Sequence, residues 1–314
     1  MIQPLLKHIE RVFLGKTEVV RLCLTTFLAG EHLLLEDIPG VGKTLLAKAL
    51  AKSIRGKFAR IQFTPDLLPA EITGSNIYAS MNWKPEEVKS DSPFRFIPGP
   101  LFANIVLADE INRTTPRTQS AMLEAMGERC VTCDGITRNL PEPFFVIATQ
   151  NPMEYEGTYP LPESQLDRFL MRISIGYPSR EWELKVLETH QLARPIDTLE
   201  PLMTTERLLE LQQKVKKVLV DSAISHYILD LIEATRQREE CLVGVSTRGA
   251  LALYRAAQAY AFVEGRDYVT PDDVKALAVP VLSHRILLKN HLRKTTRPMA
   301  EAFVQNIVEN TLTP

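Results

Sequence analysis

A glycine-rich turn near residue 40 has the residue types that bind the phosphates of a nucleotide. It follows the apolar run Leu33–Leu35 and precedes a helical pattern that continues to Leu50. Glycines in such a turn let backbone N–H groups curl around a β-phosphate, and the following helix N-terminus adds partial positive charge. A lysine at the start of that helix reaches the β- and γ-oxygens, and the next hydroxyl holds Mg²⁺. The residues predicted to bind the nucleotide are Pro39, Gly40, Val41, Gly42, Lys43, Thr44 and Leu45.

The turn matches the P-loop pattern G-x4-G-K-[ST] with one departure. Asp37 stands where the pattern has its first glycine, whereas Gly42, Lys43 and Thr44 match. The alternative interpretation is an ordinary turn before a helix, because a Gly-Lys-Thr tripeptide alone is a weak signal. The strand before the turn and the helix after it favour the nucleotide site.

Two adjacent acids end a second apolar run, Ile105–Ala108. Asp109 is placed to hold Mg²⁺ together with Thr44, and Glu110 is placed to polarise the attacking water. Consecutive side chains diverge along a strand, so the two carboxylates need not share a task. The alternative is a strand that merely ends in solvated acids, which the P-loop upstream disfavours.

Two further polar residues are candidates for the hydrolysis apparatus. Asn151 follows the run Phe144–Thr149, and a neutral amide there can hydrogen-bond a γ-phosphate or the lytic water. Arg168 is poorly placed for the P-loop of its own chain if it lies at the far edge of the sheet. It is then positioned to stabilise the transferring phosphate of a neighbouring subunit as an arginine finger. A surface salt bridge to Asp167 or Glu163 is the alternative.

Short apolar runs that alternate with helical patterns must position these residues. The strand candidates are His32–Leu35, Ala59–Phe63, Ile105–Ala108, Phe144–Thr149 and Met171–Ile175. Such alternation predicts a parallel sheet covered by helices on both faces. After Pro178 the strand signals stop and apolar residues recur at helical spacing. The sequence therefore predicts an α/β core over residues 1–178 and a helical domain over residues 179–314.

The composition of the 314 residues excludes several classes of protein. Hydrophobic residues at 45% and charged residues at 24% are ordinary for a globular chain, which argues against intrinsic disorder. The formal charge of −1 makes nucleic acid an unexpected partner. The chain begins without a signal-peptide pattern, and its uncharged apolar stretches are too short to span a bilayer. Four cysteines do not form a disulfide framework, so we expect a cytoplasmic protein without membrane insertion.

Several blocks of sequence, in order, resemble the MoxR branch of the AAA+ ATPases. The blocks are Glu36–Thr44, Gln62–Pro69, Gly99–Phe102, Leu107–Arg113, Thr118–Met126, Thr149–Pro152 and Leu166–Phe169. The resemblance extends from about Gly15 to the region Pro280–Ile286. It implies an AAA+ P-loop NTPase core, with a parallel sheet flanked by helices, followed by an all-α lid. It also implies ATP and Mg²⁺ as cofactors and self-association into a ring, commonly a hexamer.

The resemblance assigns roles to individual residues by motif match. The matched residues are Lys43 and Thr44 for Walker A, Asp109 and Glu110 for Walker B, Asn151 for sensor 1, Arg168 for the arginine finger and Arg248 for sensor 2. Ser246 is a suitable N-cap for a lid helix, and an arginine on its next turn can face a phosphate. Whether Arg248 acts on the nucleotide of its own subunit or of the next is left open.

Two segments are expected to be insertions that face a ring pore. The resemblance places a helix-2 insert at about residues 72–98, and the Asp134-Gly135 pair predicts a hairpin over about residues 128–140. A packing cluster of aromatic residues and a structural hairpin are the alternatives. Cys130 and Cys133 have the spacing of a zinc knuckle, but the sequence lacks a matching Cys/His pair nearby, which disfavours zinc.

The leading hypothesis is an ATPase that hydrolyses ATP between ring subunits and remodels, assembles or matures a protein client. In MoxR-like proteins that client is often linked to a protein with a von Willebrand factor A domain. A DNA-directed motor of the helicase or branch-migration type is one alternative, which the balanced charge disfavours. A nucleotide-dependent scaffold with little turnover is another, which the presence of Glu110, Asn151 and Arg168 disfavours.

Overall fold

A computed structural model describes residues 2–78, 94–151, 158–190, 195–289 and 296–314. Most of the predicted helix-2 insert, residues 79–93, lies outside the described residues. The helices are α1 Gln3–Glu10, α2 Thr17–Leu28, α3 Lys43–Ser53, α4 Pro69–Thr73, α5 Pro116–Glu128, α6 Glu163–Leu166, α7 Arg180–His190, α8 Thr205–Val215, α9 Ser222–Gln237, α10 Thr247–Val263, α11 Pro271–Leu282 and α12 Arg297–Asn310. The strands are β1 His32–Glu36, β2 Phe58–Gln62, β3 Gly74–Tyr78, β4 Phe94–Pro98, β5 Ile105–Asp109, β6 Cys130–Cys133, β7 Ile136–Asn139, β8 Phe145–Gln150, β9 Phe169–Ile173, β10 Cys241–Val243 and β11 Leu287–Leu288.

Five strands form a parallel sheet in the order β2-β5-β8-β1-β9. Strands β5 and β8 are almost wholly buried because helices cover both faces of the sheet. The prediction of an α/β core with five parallel strands is confirmed, with strand ends displaced by at most two residues. Because the strands are parallel, their carboxyl ends meet at one edge of the sheet.

The C-terminal part is a helical lid, as predicted. Helix α10 packs against α11 and also against α2 of the core, through a run of buried alanines. One hydrophobic cluster joins α1–α3, one face of the sheet and the lid helices, so the lid is packed directly on the core. The sequence did not predict the short antiparallel ladder between β10 and β11 in the lid. Among the described residues, no helix combines the length and the apolar character that a bilayer crossing requires.

A buried histidine begins the strand that leads into the glycine-rich turn. His32 Nε2 lies 3.1 Å from the carbonyl oxygen of Met126, and Nδ1 accepts a hydrogen bond from the Val146 N–H at 3.1 Å. One nitrogen must therefore donate while the other accepts, which only the neutral ring can do. The pKa of His32 is lowered from 6.5 to about 4, mainly by burial; the hydrogen bond to the Met126 carbonyl opposes this change and the Arg129 guanidinium adds to it.

We expect acid to destabilise the fold through this histidine. The unfolded chain binds a proton below about pH 6.5 and the folded chain only below about pH 4, so stability is lost as the pH falls through that window. The shift corresponds to roughly 3 kcal/mol of unfolding free energy. Urea denaturation at pH 7 and pH 5 measures the part of it that is lost by pH 5, about 2 kcal/mol. The variant His32→Gln is expected to show a shallower pH dependence, and an unchanged slope would contradict this assignment.

Candidate functional site

The glycine-rich turn has a backbone that requires glycine at two positions. Gly40 and Gly42 have φ angles of +84° and +94°, in the left-handed region. A Cβ on Gly42 would also lie 2.9 Å from the Phe13 ring. Helix α3 begins at Lys43, directly after the turn, so its free N–H groups point toward the space that the turn encloses. The turn has the geometry of a phosphate cradle.

Lys43 is the cation of this cradle, and it is 9% exposed. Its Nζ donates a hydrogen bond of 3.0 Å to the backbone carbonyl of Asp37, at the start of the turn. A phosphate oxygen is a stronger partner for an ammonium than a neutral carbonyl, because the hydrogen bond is then charge-assisted on both sides. Lys43 is therefore held beside the cradle by a bond that a phosphate can replace. Thr44, in the first turn of α3, supplies a half-buried hydroxyl next to it.

An apolar cavity of about 260 Å³ adjoins the cradle. Its walls include Val12, Phe13, Leu45, Ile175 and Pro178, and it reaches Gly40 and Gly42. An apolar slot next to a phosphate cradle suits the flat face of a nucleotide base. The lining comes from residues 12–16, 40–45 and 175–178 together with Val186 and Pro195, and only the folded structure brings these parts of the chain together.

The acid pair lies at the carboxyl edge of the sheet, where β5 ends. Asp109 Oδ2 accepts hydrogen bonds from Arg60 on β2, at 2.6 Å from Nη2 and 3.2 Å from Nε. Its Oδ1 accepts a hydrogen bond of 2.7 Å from the hydroxyl of Thr149. A carboxylate and the Thr44 hydroxyl are the oxygen ligands that Mg²⁺ prefers, so these side chains fit the predicted metal. Coordination of Mg²⁺ by Oδ2 would compete with the hydrogen bonds that this oxygen accepts from Arg60.

Glu110 has an unusual backbone conformation and a restrained side chain. Its φ of +59° is rare for a residue other than glycine and is often found at functional positions. Its Oε2 accepts a hydrogen bond of 2.8 Å from Gln62 Nε2 and lies 3.1 Å from Arg113 Nη1. These two contacts hold the carboxylate in one place at the edge of the sheet, and a general base must be positioned in this way to reach the attacking water.

Thr149, near the end of β8, joins the two acids and was missed in the sequence. Its hydroxyl donates to Asp109 and accepts a hydrogen bond of 2.9 Å from the backbone N–H of Glu110. The residue is fully buried. The parallel register that pairs Ala108 with Ala148 puts Thr149 beside Asp109, a neighbour relation that the sequence alone does not give. Asn151 follows at the same edge and is also buried.

Replacing Thr149 by Val is expected to lower kcat for ATP about ten- to a hundredfold, with a much smaller change in nucleotide affinity. The isosteric side chain removes both hydrogen bonds that orient the acids and leaves the phosphate cradle intact. Phosphate release and nucleotide titration separate the two effects. Thr149→Ser keeps the hydroxyl and is expected to retain most of the activity. An unchanged kcat in T149V would show that the hydroxyl does not position the acids.

Arg168 and Arg248 lie together at the opposite edge of the sheet. Arg168 precedes β9, and its Nη1 donates to the Leu123 carbonyl at 2.7 Å. Arg248, at the start of α10, is largely exposed, and its Nη1 lies 3.9 Å from Asp167 Oδ2. Asp167 pairs with the buried Arg285 at 2.8 Å, and the alternative of a surface salt bridge from Arg168 to Asp167 or Glu163 is not seen among the ion pairs of the described residues.

These two arginines line a strongly cationic cleft of about 530 Å³. The charged residues around it are Arg129, Arg168, Arg248, Arg255 and Arg285, with Glu31 and Asp167 as the acids. Strand β9 has five residues, which corresponds to a length of about 16 Å at the rise of a β-strand. The cleft is therefore far from the phosphate cradle of the same chain.

Two antiparallel hairpins, β3 with β4 and β6 with β7, contact each other. The guanidinium of Arg138 on β7 lies 3.9 Å from the ring centroid of Phe96 on β4, and Asn76 donates to Asp134. The larger apolar side chains exposed here are Ile77, Tyr78, Phe94, Ile97 and Ile136. Cys130 and Cys133 on β6 are free thiols, and no cluster of three metal-ligating side chains occurs in the part of the chain that the structure describes.

The fold and the site together define a class of protein. A P-loop between β1 and α3, an acid pair at the end of β5 and a helical lid after a five-stranded parallel sheet are the features of an AAA-type ATPase. The pattern of the "ATPase family associated with various cellular activities (AAA)" matches residues 32–171, and that of the "AAA lid domain" matches residues 233–307.

The chain belongs to the MoxR family of these ATPases. It is 41% identical over 290 residues to the protein named Chaperone MoxR1 of Mycobacterium tuberculosis, across 90% of this chain and 74% of that one. It is 52% identical over 308 residues to the protein YeaC of Bacillus subtilis, across 98% and 93% of the two chains. A crystal structure of a candidate ATPase from Cytophaga hutchinsonii matches all of this chain and 94% of its own, with a TM-score of 0.88 and 36% identity.

Proposed function

We propose that the protein hydrolyses ATP with Mg²⁺ at the interfaces of a ring and uses the cycle to remodel, assemble or mature a protein client. The observation that carries this proposal is the separation of the site into two halves. The phosphate cradle and the acid pair lie at one edge of the sheet, and Arg168 with Arg248 lies at the other. This separation supports an arrangement in which a second copy brings its arginines to the nucleotide, and we propose that both Arg168 and Arg248 act on the neighbouring subunit.

Each residue then has a defined task in hydrolysis. Lys43 leaves the Asp37 carbonyl for the β- and γ-oxygens, and the glycine turn holds the β-phosphate through backbone N–H groups. Thr44 and Asp109 would hold Mg²⁺, which would neutralise charge on the phosphates. Glu110 leaves Gln62 and polarises the attacking water, while Asn151 orients the γ-phosphate or that water. The neighbour's arginines stabilise the charge that develops on the transferring phosphate.

The ring, its size and its client belong to this proposal. We expect a hexamer, since the family resemblance implies one, and a protein client linked to a von Willebrand factor A domain. A relative named as a chaperone supports a protein client rather than DNA. The exposed apolar side chains of the two hairpins, such as Tyr78 and Phe94, suit contact with a polypeptide. The cytoplasmic location stays a prediction.

The proposed function is tested by measuring how the rate of ATP hydrolysis depends on assembly of the ring. We expect the purified chain to bind a fluorescent ATP analogue and to release phosphate in a Mg²⁺-dependent reaction whose rate per subunit rises with protein concentration as rings form. Nucleotide binding with zero turnover in an assembled ring would favour the scaffold instead. Stimulation by DNA that falls with salt would favour the DNA motor. Absence of adenine nucleotide binding would refute the proposal.

A further inference from the structure

Asp37 is the residue that departs from the P-loop pattern, and both of its carboxylate oxygens accept hydrogen bonds from groups within the protein. It is 6% exposed. Its Oδ1 accepts a hydrogen bond of 2.9 Å from the Ile38 N–H. Its Oδ2 accepts from the Ser174 hydroxyl at 3.1 Å, from the Ile175 N–H and from the Gly176 N–H at 2.9 Å. A glycine has no atom that can accept any of these bonds, so the departure creates a connection that the usual pattern lacks.

The backbone of Asp37 is bonded on the other side to the nucleotide-binding machinery. Its carbonyl accepts the hydrogen bond from Lys43 Nζ, and its N–H donates to the Gln150 carbonyl at 3.0 Å, at the end of β8. Lys43 is the group that a triphosphate attracts most directly. Phosphate binding therefore removes one of the bonds that hold the Asp37 peptide in place.

Residues 174–176 form the exit from β9 toward the lid. Gly176 has a φ of +63° and lines the apolar cavity beside the cradle. The next carbonyl, of Tyr177, accepts a hydrogen bond of 2.7 Å from Lys16 Nζ, and α7 begins at Arg180. A glycine in the left-handed region between two packed units can absorb a change in backbone angle at low cost.

The ring of Trp182, in the first turn of α7, rests on the N-terminal segment. Gly15 has a φ of +72°, and a Cβ on it would lie 2.3 Å from the Trp182 ring. This close contact makes the surroundings of the indole sensitive to any displacement of α7 against the core. Lys185 Nζ lies 4.3 Å from the centroid of the same ring.

We propose that Asp37 is a positioning residue that couples occupancy of the phosphate cradle to the placement of α7. When phosphate draws Lys43 from the Asp37 carbonyl, the Asp37 peptide shifts, and its carboxylate moves residues 174–176 with it. Gly176 takes up the change in backbone angle, and α7 is displaced. This inference rests on the proposed function, since it requires that the cradle binds a nucleotide.

The test uses Trp182 as the reporter in the full chain. The background variant Trp83→Phe removes the other tryptophan of the sequence. Mg-ADP and Mg-ATPγS are the probes, with affinity measured by isothermal titration and the response of α7 by Trp182 emission. Asp37→Ala removes the carboxylate but keeps the carbonyl that accepts from Lys43. We expect nucleotide affinity within about threefold of the parent and a Trp182 response reduced at least about fivefold.

Two matched variants separate coupling from a general loss of structure. Asp37→Asn keeps one oxygen that can accept from residues 174–176, so it is expected to restore part of the response. Asp230→Ala makes the same chemical change at an exposed position of α9 and is expected to respond like the parent. If D37A does not fold, Ser174→Ala carries the test, because it removes one donor to Asp37 and leaves the loop unchanged.

The outcomes distinguish this inference from the proposed function. Failure of the parent to bind either nucleotide would refute the proposed function. If the parent binds nucleotide without any change in Trp182 emission, the inference alone is overturned. The same holds if D37A binds nucleotide and responds like the parent. S174A replaces D37A in this comparison if D37A does not fold. Reduced response with retained affinity, partly restored in D37N, would support it.

Discussion

Replacing Glu110 by Gln is expected to slow ATP hydrolysis by at least about a hundredfold while ATP stays bound. The amide keeps the size of the carboxylate and can still contact Gln62, which lies 2.8 Å from Oε2, but it cannot polarise a water molecule as a base. The cradle formed by Gly40, Gly42 and Lys43 is unchanged. Phosphate release measures the loss of turnover, and retention of radiolabelled ATP on the purified ring measures binding.

Lys43→Ala is the matched comparison, because it damages binding instead of chemistry. Removing the ammonium leaves the β- and γ-oxygens without their main cation, and we expect nucleotide affinity to fall at least about thirtyfold. E110Q that hydrolyses ATP like the wild type would show that Glu110 is not the base. K43A that binds ATP normally would show that the turn is not the phosphate site.

The trapped state of E110Q also offers a route to the client. A ring that holds ATP without hydrolysis stays in the state that grips its partner, if the proposed function is right. Affinity capture from native cells with E110Q, compared with K43A, would enrich the client only in the first. Recovery of a protein with a von Willebrand factor A domain would agree with the expectation from the family resemblance.

The core of the fold was predictable because four of its five sheet strands, β1, β5, β8 and β9, are buried along almost their whole length. Such strands appear as short runs almost free of charge, and the acids or amides that end them mark the functional edge. Asp109, Glu110 and Asn151 were therefore predicted as site residues from their positions at the ends of apolar runs, and their roles stay predictions. The ladder of β10 and β11 was not predicted, because strands of three and two residues are too short to show a period.

The contacts that orient the site could not be predicted because they depend on strand order. Arg60 and Gln62 reach Asp109 and Glu110 only because β2 lies next to β5, and Thr149 reaches both acids only because β8 lies on the other side. A single sequence does not specify which strands are neighbours. The hydrogen bonds of the Asp37 carboxylate could not be predicted because the donors to its Oδ2 lie 137 to 139 residues away along the chain.

Arg168→Ala is expected to bind ATP with nearly wild-type affinity and to lose turnover by about a thousandfold, as arginine fingers commonly do. The residue lies at the amino end of β9, about 16 Å along the strand from the edge that holds the cradle, so its loss leaves the cradle of its own chain intact. Nucleotide titration and phosphate release on the assembled ring separate binding from turnover. Weakened binding with unchanged kcat would contradict this role.

Mixed rings decide whether Arg168 acts on the neighbouring subunit. An R168A subunit supplies an intact cradle and Glu110, and an E110Q subunit supplies an intact Arg168, so each R168A cradle that faces an E110Q arginine is a complete site. Random mixing at equal amounts makes about a quarter of the interfaces complete, and activity should return although both parents are inactive. A mixture of K43A with E110Q is the control, since both defects lie on the cradle side and no interface is complete. Absence of rescue in rings that have exchanged subunits would mean that Arg168 serves its own chain, contrary to its place at the far edge of the sheet.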